Sequence, residues 1–431
     1  MKKEIFQSLV YNFLSILIGF IAVRVTLDYL GEDLYGRWGV ALSLIYFLNL
    51  FEFGLGSSIR NYATEFLLNP KAKEKLVKHI KCIWDFQIIL LFTITIITLI
   101  ISILISPKNY NLFNILCVVF FPLVVCSNLA SPLYNGLKKT RVVFKIKVLT
   151  AFTSLIFLLI LTKVFPVELF AIELVLIINV LPIIGIKLFF LQRFFKHQIQ
   201  APFNYNFYIP KKESIPTLIG SEIFKTGVSY FSINIANLFM INSIPILLSS
   251  FIGEKEVTVF TINQKLYLVF LQFIYVILTP FWAHLNLQIR KREIKGLSKT
   301  INRLALICVL LFAGVFIIRC FEKPFHVAWL GETGYTNKGY TLLIAYYTLA
   351  MGIIAIIGHF LNAMDELQIQ RRLAIVNSIM ILPTGLLFYY LTELQGASFL
   401  LSINIFLTFQ MFLLFRQAII SYNYVRNSWV H

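Results

Sequence analysis

Charge is what this 431-residue chain has least of: Asp, Glu, Lys and Arg together make up 13% of it, about half the share found in a soluble globular domain. That shortage excludes an ordinary soluble enzyme. Cysteine is sparse as well. Cys82, Cys117, Cys126, Cys308 and Cys320 stand in or beside apolar runs with no CxxC or other metal-ligand spacing, so no disulfide and no metal site is assigned. The chain lacks a Walker loop, an HExxH helix and any nucleophile and base at a readable spacing. Catalysis, ATP hydrolysis and a cofactor are therefore not expected. The opening MKKEIFQSLVYNFLSILIGFIAV has the basic and apolar regions of a signal peptide, but no small-residue cleavage site precedes Arg24. It reads as a retained first helix.

Apolar sequence is what fills the space. Hydrophobic residues are 58% of the total, and runs of roughly 20 residues, the length needed to cross a bilayer as a helix, recur almost from end to end. They fall near residues 6–29, 36–60, 82–105, 112–136, 146–164, 168–190, 216–249, 257–284, 301–320, 339–363, 373–391 and 396–416. The expected fold class is all-α and polytopic, with about twelve transmembrane helices. The net charge of +18 then reports topology rather than a nucleic-acid partner. The N-terminus, every second loop (near 61–81, 137–147, 187–212, 285–303 and 364–372) and the C-terminus hold 28 of the 38 Lys and Arg. Seven lie on the opposite side, and Arg24, Lys225 and Lys265 fall inside predicted spans. Because Lys and Arg resist translocation, both termini are expected in the cytoplasm.

Two short patterns recur six spans apart. Leu30-Gly31-Glu32 matches Ile252-Gly253-Glu254, and Asn135-Gly136-Leu137 matches Asn362-Ala363-Met364, at offsets of 222 and 227 residues. Duplication by an even number of spans gives two halves that enter from the same side, here 1–212 and 213–431, with a cleft between them as a substrate path.

A charge inside the bilayer costs roughly 2.5–3.5 kcal/mol on insertion scales, so those that persist face protein or a watery cavity. In the second span Tyr46, Asn49, Glu52, Gly56 and Arg60 recur at steps of three or four, which on a continuous helix is one polar face. Glu52 reads as a structural ion-pair partner or as a coupling group. Glu222 and Lys225 at i, i+3 can neutralise each other near the start of span seven. In span eight Thr258, Thr261, Lys265, Gln272 and Thr279 share a narrow sector, with Lys265 either facing a lumen or snorkelling to the headgroups. Ser8, Asn12, Ser15, Gly19 and Ala22 form a small-residue stripe on span one. Arg24 projects from the other side, toward a cavity or toward Asp28 one turn later. The longest outward loop, near 321–338, contains His326, Trp329 and Glu332.

The stretch LGEDLYGRWG followed by FEFGLGSSIR resembles the beginning of bacterial O-antigen and polysaccharide flippases, members of the superfamily that also holds multidrug and toxic-compound extruders (MATE). FIGEKEVTVFTINQKL, AWLGETGY and NAMDELQIQRR extend the likeness loosely along the chain. The resemblance implies a MATE-like pair of six-helix bundles around a central cavity in the inner membrane. It would carry an undecaprenyl-pyrophosphate-linked oligosaccharide by alternating access and would work beside a polysaccharide polymerase. It also implies a cationic cavity, for which Arg24, Lys225 and Lys265 are the available positions, with Gln272 beside them and Glu52 and Glu222 as coupling groups. Glu52 stands where many members have aspartate. A cation-coupled small-molecule exporter of the same superfamily and a membrane polymerase or ligase are the competing readings, since fold alone does not fix substrate.

Overall fold

Lipid offers no partner to a backbone amide, so a chain this apolar must satisfy its N–H and C=O groups within its own segments. The computed structural model describes residues 2–48, 52–105, 123–166, 171–200, 214–290, 294–331, 338–364, 366, 368–392, 394 and 396–430. Among these it is helical nearly throughout, with no strand. The helices are α1 (Lys2–Leu48), α2 (Leu55–Leu68), α3 (Lys73–Ile105), α4 (Ala130–Gly136), α5 (Thr140–Val164), α6 (Ala171–Phe194), α7 (Ser214–Ile219), α8 (Glu222–Phe251), α9 (Glu254–Arg290), α10 (Ile294–Leu330), α11 (Lys338–Ala363), α12 (Gln368–Leu391) and α13 (Ala397–Val430). Eight of the described helices are long and apolar enough to cross a membrane. The protein is an all-α, polytopic membrane protein.

Its side chains are sorted inside out. On α10, Leu306, Val309, Leu310, Phe312, Phe316 and Ile317 are all at least half exposed, while Thr300, Glu322 and His326 are buried. A soluble protein could not leave such a face in water. In the second half, buried polar groups tie helices together: Asn377 of α12 donates to Gln410 of α13, and Asn404 of α13 donates to the Leu343 carbonyl of α11 at 2.9 Å. Pro383 opens the backbone of α12, and nearby carbonyls take side-chain donors, Met380 from Thr384 and Ile381 from Ser402.

By packing, Met1–Ile235 form one unit and Ala236–His431 another. The division falls inside α8, whose first turns pack on the first unit. In that unit α1 lies along α5 and α6, and α2 lies against α4. A core of Leu55, Ile59, Ile80, Ile83, Leu133 and Phe194, all fully buried, joins α2, α3, α4 and α6. Tyr134 of α4 reaches into it and donates to the Phe190 carbonyl at 3.1 Å. In the second unit α11 packs against α9, α10 and α13, and α12 against α13.

Four sequence expectations change. The apolar run 36–60 is not one helix: it breaks at Phe53 (φ 52°) and Gly54 (φ 67°). The polar face drawn from Tyr46 to Arg60 is therefore discontinuous, and Asn49 lies outside the described residues. The run 216–249 divides at Gly220-Ser221 into α7 and α8. The outward loop 321–338 is helical to Leu330, with a bend at Phe321 (φ −106°, ψ 15°), and Glu332 lies outside the described residues. Lys147 and Lys187, placed in loops by the charge pattern, stand inside α5 and α6. The two repeated Gly-Glu pairs do take equivalent roles: Gly31 (φ 73°) breaks α1 and Gly253 (φ 144°) separates α8 from α9.

The break in the second run is held by glycine. A Cβ on Gly54 would stand 2.3 Å from the Gly227 carbonyl oxygen of α8, and one on Gly227 would stand 3.0 Å from the Phe53 carbonyl oxygen. Gly54→Ala therefore carries both overpacking and a left-handed backbone, each costing about 1–3 kcal/mol. Gly185→Ala, where nothing lies within 4 Å of the added carbon, is the control. Thermal unfolding in detergent should show a lowered midpoint for Gly54→Ala and an unchanged one for Gly185→Ala.

Candidate functional site

At the break, Phe53 and Gly54 both take positive φ and a helix starts at Leu55. The Gly54 carbonyl accepts from Ser57 and Ser58 at 3.1 and 3.3 Å. The Glu52 carboxylate folds over the new helix start and accepts a hydrogen bond from the Gly56 backbone. An anion placed there is favoured by the unpaired N–H groups and the positive end of the helix dipole. Residue 56 must be glycine for this, because a Cβ would lie 1.9 Å from Glu52 Oε1.

The positive charge that Glu52 faces is Lys187 of α6. Lys187 Nζ also donates to Asn128 Oδ1 at 2.6 Å, so one lysine links the break, the segment before α4, and α6. A second lysine, Lys147 of α5, donates to Asn12 Oδ1 of α1 at 3.0 Å. Asn12 is fully buried, and its amide oxygen brings Lys147 a dipole but no counter-charge. Arg60, two turns into α2, is half-buried with Tyr230 of α8 as an electrostatic neighbour. Lys187 and Lys147 are each held inside a helix by an amide oxygen, Lys187 beside a carboxylate as well, and interior cations of this kind can bind an anionic group, since desolvated charge-assisted hydrogen bonds are the strong ones.

The sequence-predicted residues are dispersed. Arg24 pairs with Asp28 at 3.6 Å, and both side chains are at least half exposed. Lys225 and Glu222 are exposed on the first turns of α8, where Glu222 acts electrostatically on Tyr62. Lys265 and Gln272 are half-buried on α9 in the second unit, seven residues apart and so on one face. Only Glu52 is brought to another of the residues described above, Lys187. Lys147 and Lys187 are interior lysines that sequence reasoning missed. Their signal is legible afterwards: each has apolar neighbours in both directions, as in IIGIKLFFL around Lys187, but each stood at the edge of a basic loop and was counted with it.

No family model matches the chain, and no curated protein matches it by sequence. Solved structures do. An inward-facing multidrug resistance MATE family transporter of the MOP superfamily aligns over 98% of this chain and 99% of its own, with TM-score 0.69 and 15% identity. The outward-facing conformation of such a transporter aligns over 99% and 97%, with TM-score 0.67 and 15% identity. A MOP superfamily transporter from Pyrococcus furiosus aligns over 99% and 96%, with TM-score 0.67 and 14% identity. The chain has the MATE fold. At these identities the likeness fixes the fold, and the residues of the cluster must be weighed on their own chemistry.

If Glu52 and Lys187 act as a pair, removing either leaves the other half-buried without its counter-charge. Glu52→Gln and Lys187→Met should each lower the unfolding midpoint. The double variant should fall short of the summed losses by about 0.5–3 kcal/mol. Strict additivity would mean that the two charges do not interact.

Proposed function

We propose that the chain is an alternating-access flippase of a bacterial cytoplasmic membrane, with both termini cytoplasmic, that carries an undecaprenyl-pyrophosphate-linked oligosaccharide for polysaccharide assembly. The observation that carries this reading is Lys187, a lysine within a membrane-spanning helix that is anchored by Asn128 and set against Glu52 at a helix break. A pyrophosphate offers several anionic oxygens to such a group. Lys147 on α5 and Lys265 on α9 supply further positive charge within membrane-spanning helices. A pocket that selects organic cations would be expected to present acids instead.

Two findings support the reading. The Pyrococcus furiosus neighbour is described by a reverse polarity of its binding pocket that suggests a different function, so on this fold the polarity of the interior bears on function. The likeness to inward-facing and outward-facing structures alike fits a cycle in which the sugar head crosses through the protein while the polyprenyl tail stays in lipid. In this reading the two halves expected at 1–212 and 213–431 move with α7 and the first turns of α8, to Ile235, carried by the first; Arg24, Lys225, Lys265 and Gln272 contribute to the substrate path, and Glu52 and Glu222 couple it to an ion gradient or to the membrane potential. A polysaccharide polymerase would receive the product on the outer face.

Deleting the gene in its host and extracting the undecaprenyl-linked units tests this. Completed units should accumulate on the cytoplasmic face, with surface glycan lost, and the Lys187→Ala variant should restore no more than about a tenth of the glycan at normal protein level. Units reaching the outer face unpolymerised would indicate a polymerase or ligase. Unchanged glycan, with altered sensitivity to cationic drugs, would indicate a small-molecule exporter.

A further inference from the structure

The outer limb of α10, beyond the bend at Phe321, carries a second group of ionisable side chains that the site above does not use. Phe321, Phe325 and Val327 are 63%, 37% and 43% exposed, whereas Glu322 and His326 are 3% and 0% exposed. Spaced i, i+4, these two sit one turn apart on a single inward face. Arg319, just before the bend, binds Glu322 Oε2 at 2.9 Å, and Tyr267 of α9 donates to the same oxygen at 3.3 Å. The other carboxylate oxygen, Oε1, is buried and has no hydrogen-bond partner among the described residues.

His326 is fixed as a tautomer by its surroundings. Its Nδ1 stands 2.9 Å from the Glu322 carbonyl oxygen, an atom that can only accept, so Nδ1 carries the hydrogen. The lone pair therefore lies on Nε2, which is also buried and without a hydrogen-bond partner among the described residues. Two acceptors one turn apart, a carboxylate oxygen and an imidazole nitrogen, thus lack a donor. Such groups are costly to leave unmet.

We infer that His326 Nε2 is a proton-binding site in the second unit, with the Glu322 carboxylate as its counter-charge. A proton from a solvent hydronium ion adds to the Nε2 lone pair, leaving water. It yields an imidazolium that keeps its Nδ1–H bond to the Glu322 carbonyl and gains an Nε2–H donor, while Glu322 keeps its ion pair with Arg319. Arg319 argues against a metal cation at the same place, because its guanidinium already occupies Oε2. The titratable group that acts on His326 is Glu322, whose Oε2 holds Arg319 of α10 and Tyr267 of α9, and Lys323 on the same limb is exposed. From α11, which also packs here, Tyr340 is engaged with Glu256, Tyr346 with Thr408, and Tyr347 and His359 are set against Tyr275. An exchangeable proton beside a bend in a long helix would let a proton gradient act on the position of the outer limb. The binding claim itself holds whatever the cargo is.

Trp329 reports on the site, since its ring centroid lies 6.3 Å from that of His326 at an interplanar angle of 32°, and an imidazolium quenches indole fluorescence. The purified full-length chain in lipid nanodiscs, titrated from about pH 8.5 to about pH 4, should lose tryptophan emission in a single transition as the imidazole takes up its proton. The change should vanish in Trp329→Phe and in His326→Gln. In Glu322→Gln the midpoint should fall by about one pH unit or more, as the counter-charge is lost. A wild-type protein with no such change, or a change that persists in His326→Gln, overturns the inference. If His326→Gln does not fold, the Glu322→Gln midpoint decides, and an unmoved midpoint overturns it.

Discussion

The packing of the first unit around its charged residues depends on Phe53 and Gly54, two residues of non-helical backbone inside an apolar run. Helix is the default in lipid because it satisfies its own amides, and a break exposes groups that must be met by protein. At Phe53 and Gly54 the requirement is met locally by the restart of α2, by the Glu52 side chain, and by backbone-to-backbone approach against Gly227 of α8. Glycine on both sides of that contact is what permits it. The carboxylate at the break then has a fixed address, and Lys187 on α6 has a counter-charge at a fixed address in turn.

The same economy recurs where Gly136 ends α4. Its carbonyl accepts from Thr64 of α2 at 3.1 Å, and a Cβ there would stand 2.5 Å from the Arg60 carbonyl oxygen. Small residues bring helices close, and polar side chains then bind across the narrow gap. Basic side chains inside such a bundle are expensive, and those that persist pair with other groups or mark ion and substrate pathways. The chain of dependence starts from packing: glycine contacts set the break, the break sets Glu52, and Glu52 gives an interior lysine its counter-charge.

The helices were legible because long apolar runs leave few alternatives, and the paired Gly-Glu motifs at 31–32 and 253–254 marked real interruptions, each with a left-handed glycine. The break at 53–54 was not legible, since the polar residues around it, Asn49, Glu52, Gly56 and Arg60, recur at helical steps and read as one face of a continuous helix. Lys147 and Lys187 were hidden by their basic neighbours, which made a loop the cheaper reading. Residues 321–330 were read as a loop because Glu322, Lys323 and Pro324 interrupt hydropathy, yet Glu322 and His326 turn inward and leave a lipid-compatible outer face. Of the predicted site, Glu52 fell where chemistry gathers, whereas Arg24 found Asp28. Pairing across helices depends on tertiary contacts that spacing along the chain does not encode.

The central claim is that interior lysines of the first unit recognise a diphosphate-linked head group. It is tested most directly by measuring binding of undecaprenyl pyrophosphate and of undecaprenol, the uncharged alcohol, to the purified protein and to its Lys187→Ala variant by native mass spectrometry. The account predicts tight binding of the pyrophosphate alone, weakened at least tenfold in the variant. Equal binding of the two lipids, or a variant that binds the pyrophosphate as well as the parent, would contradict it.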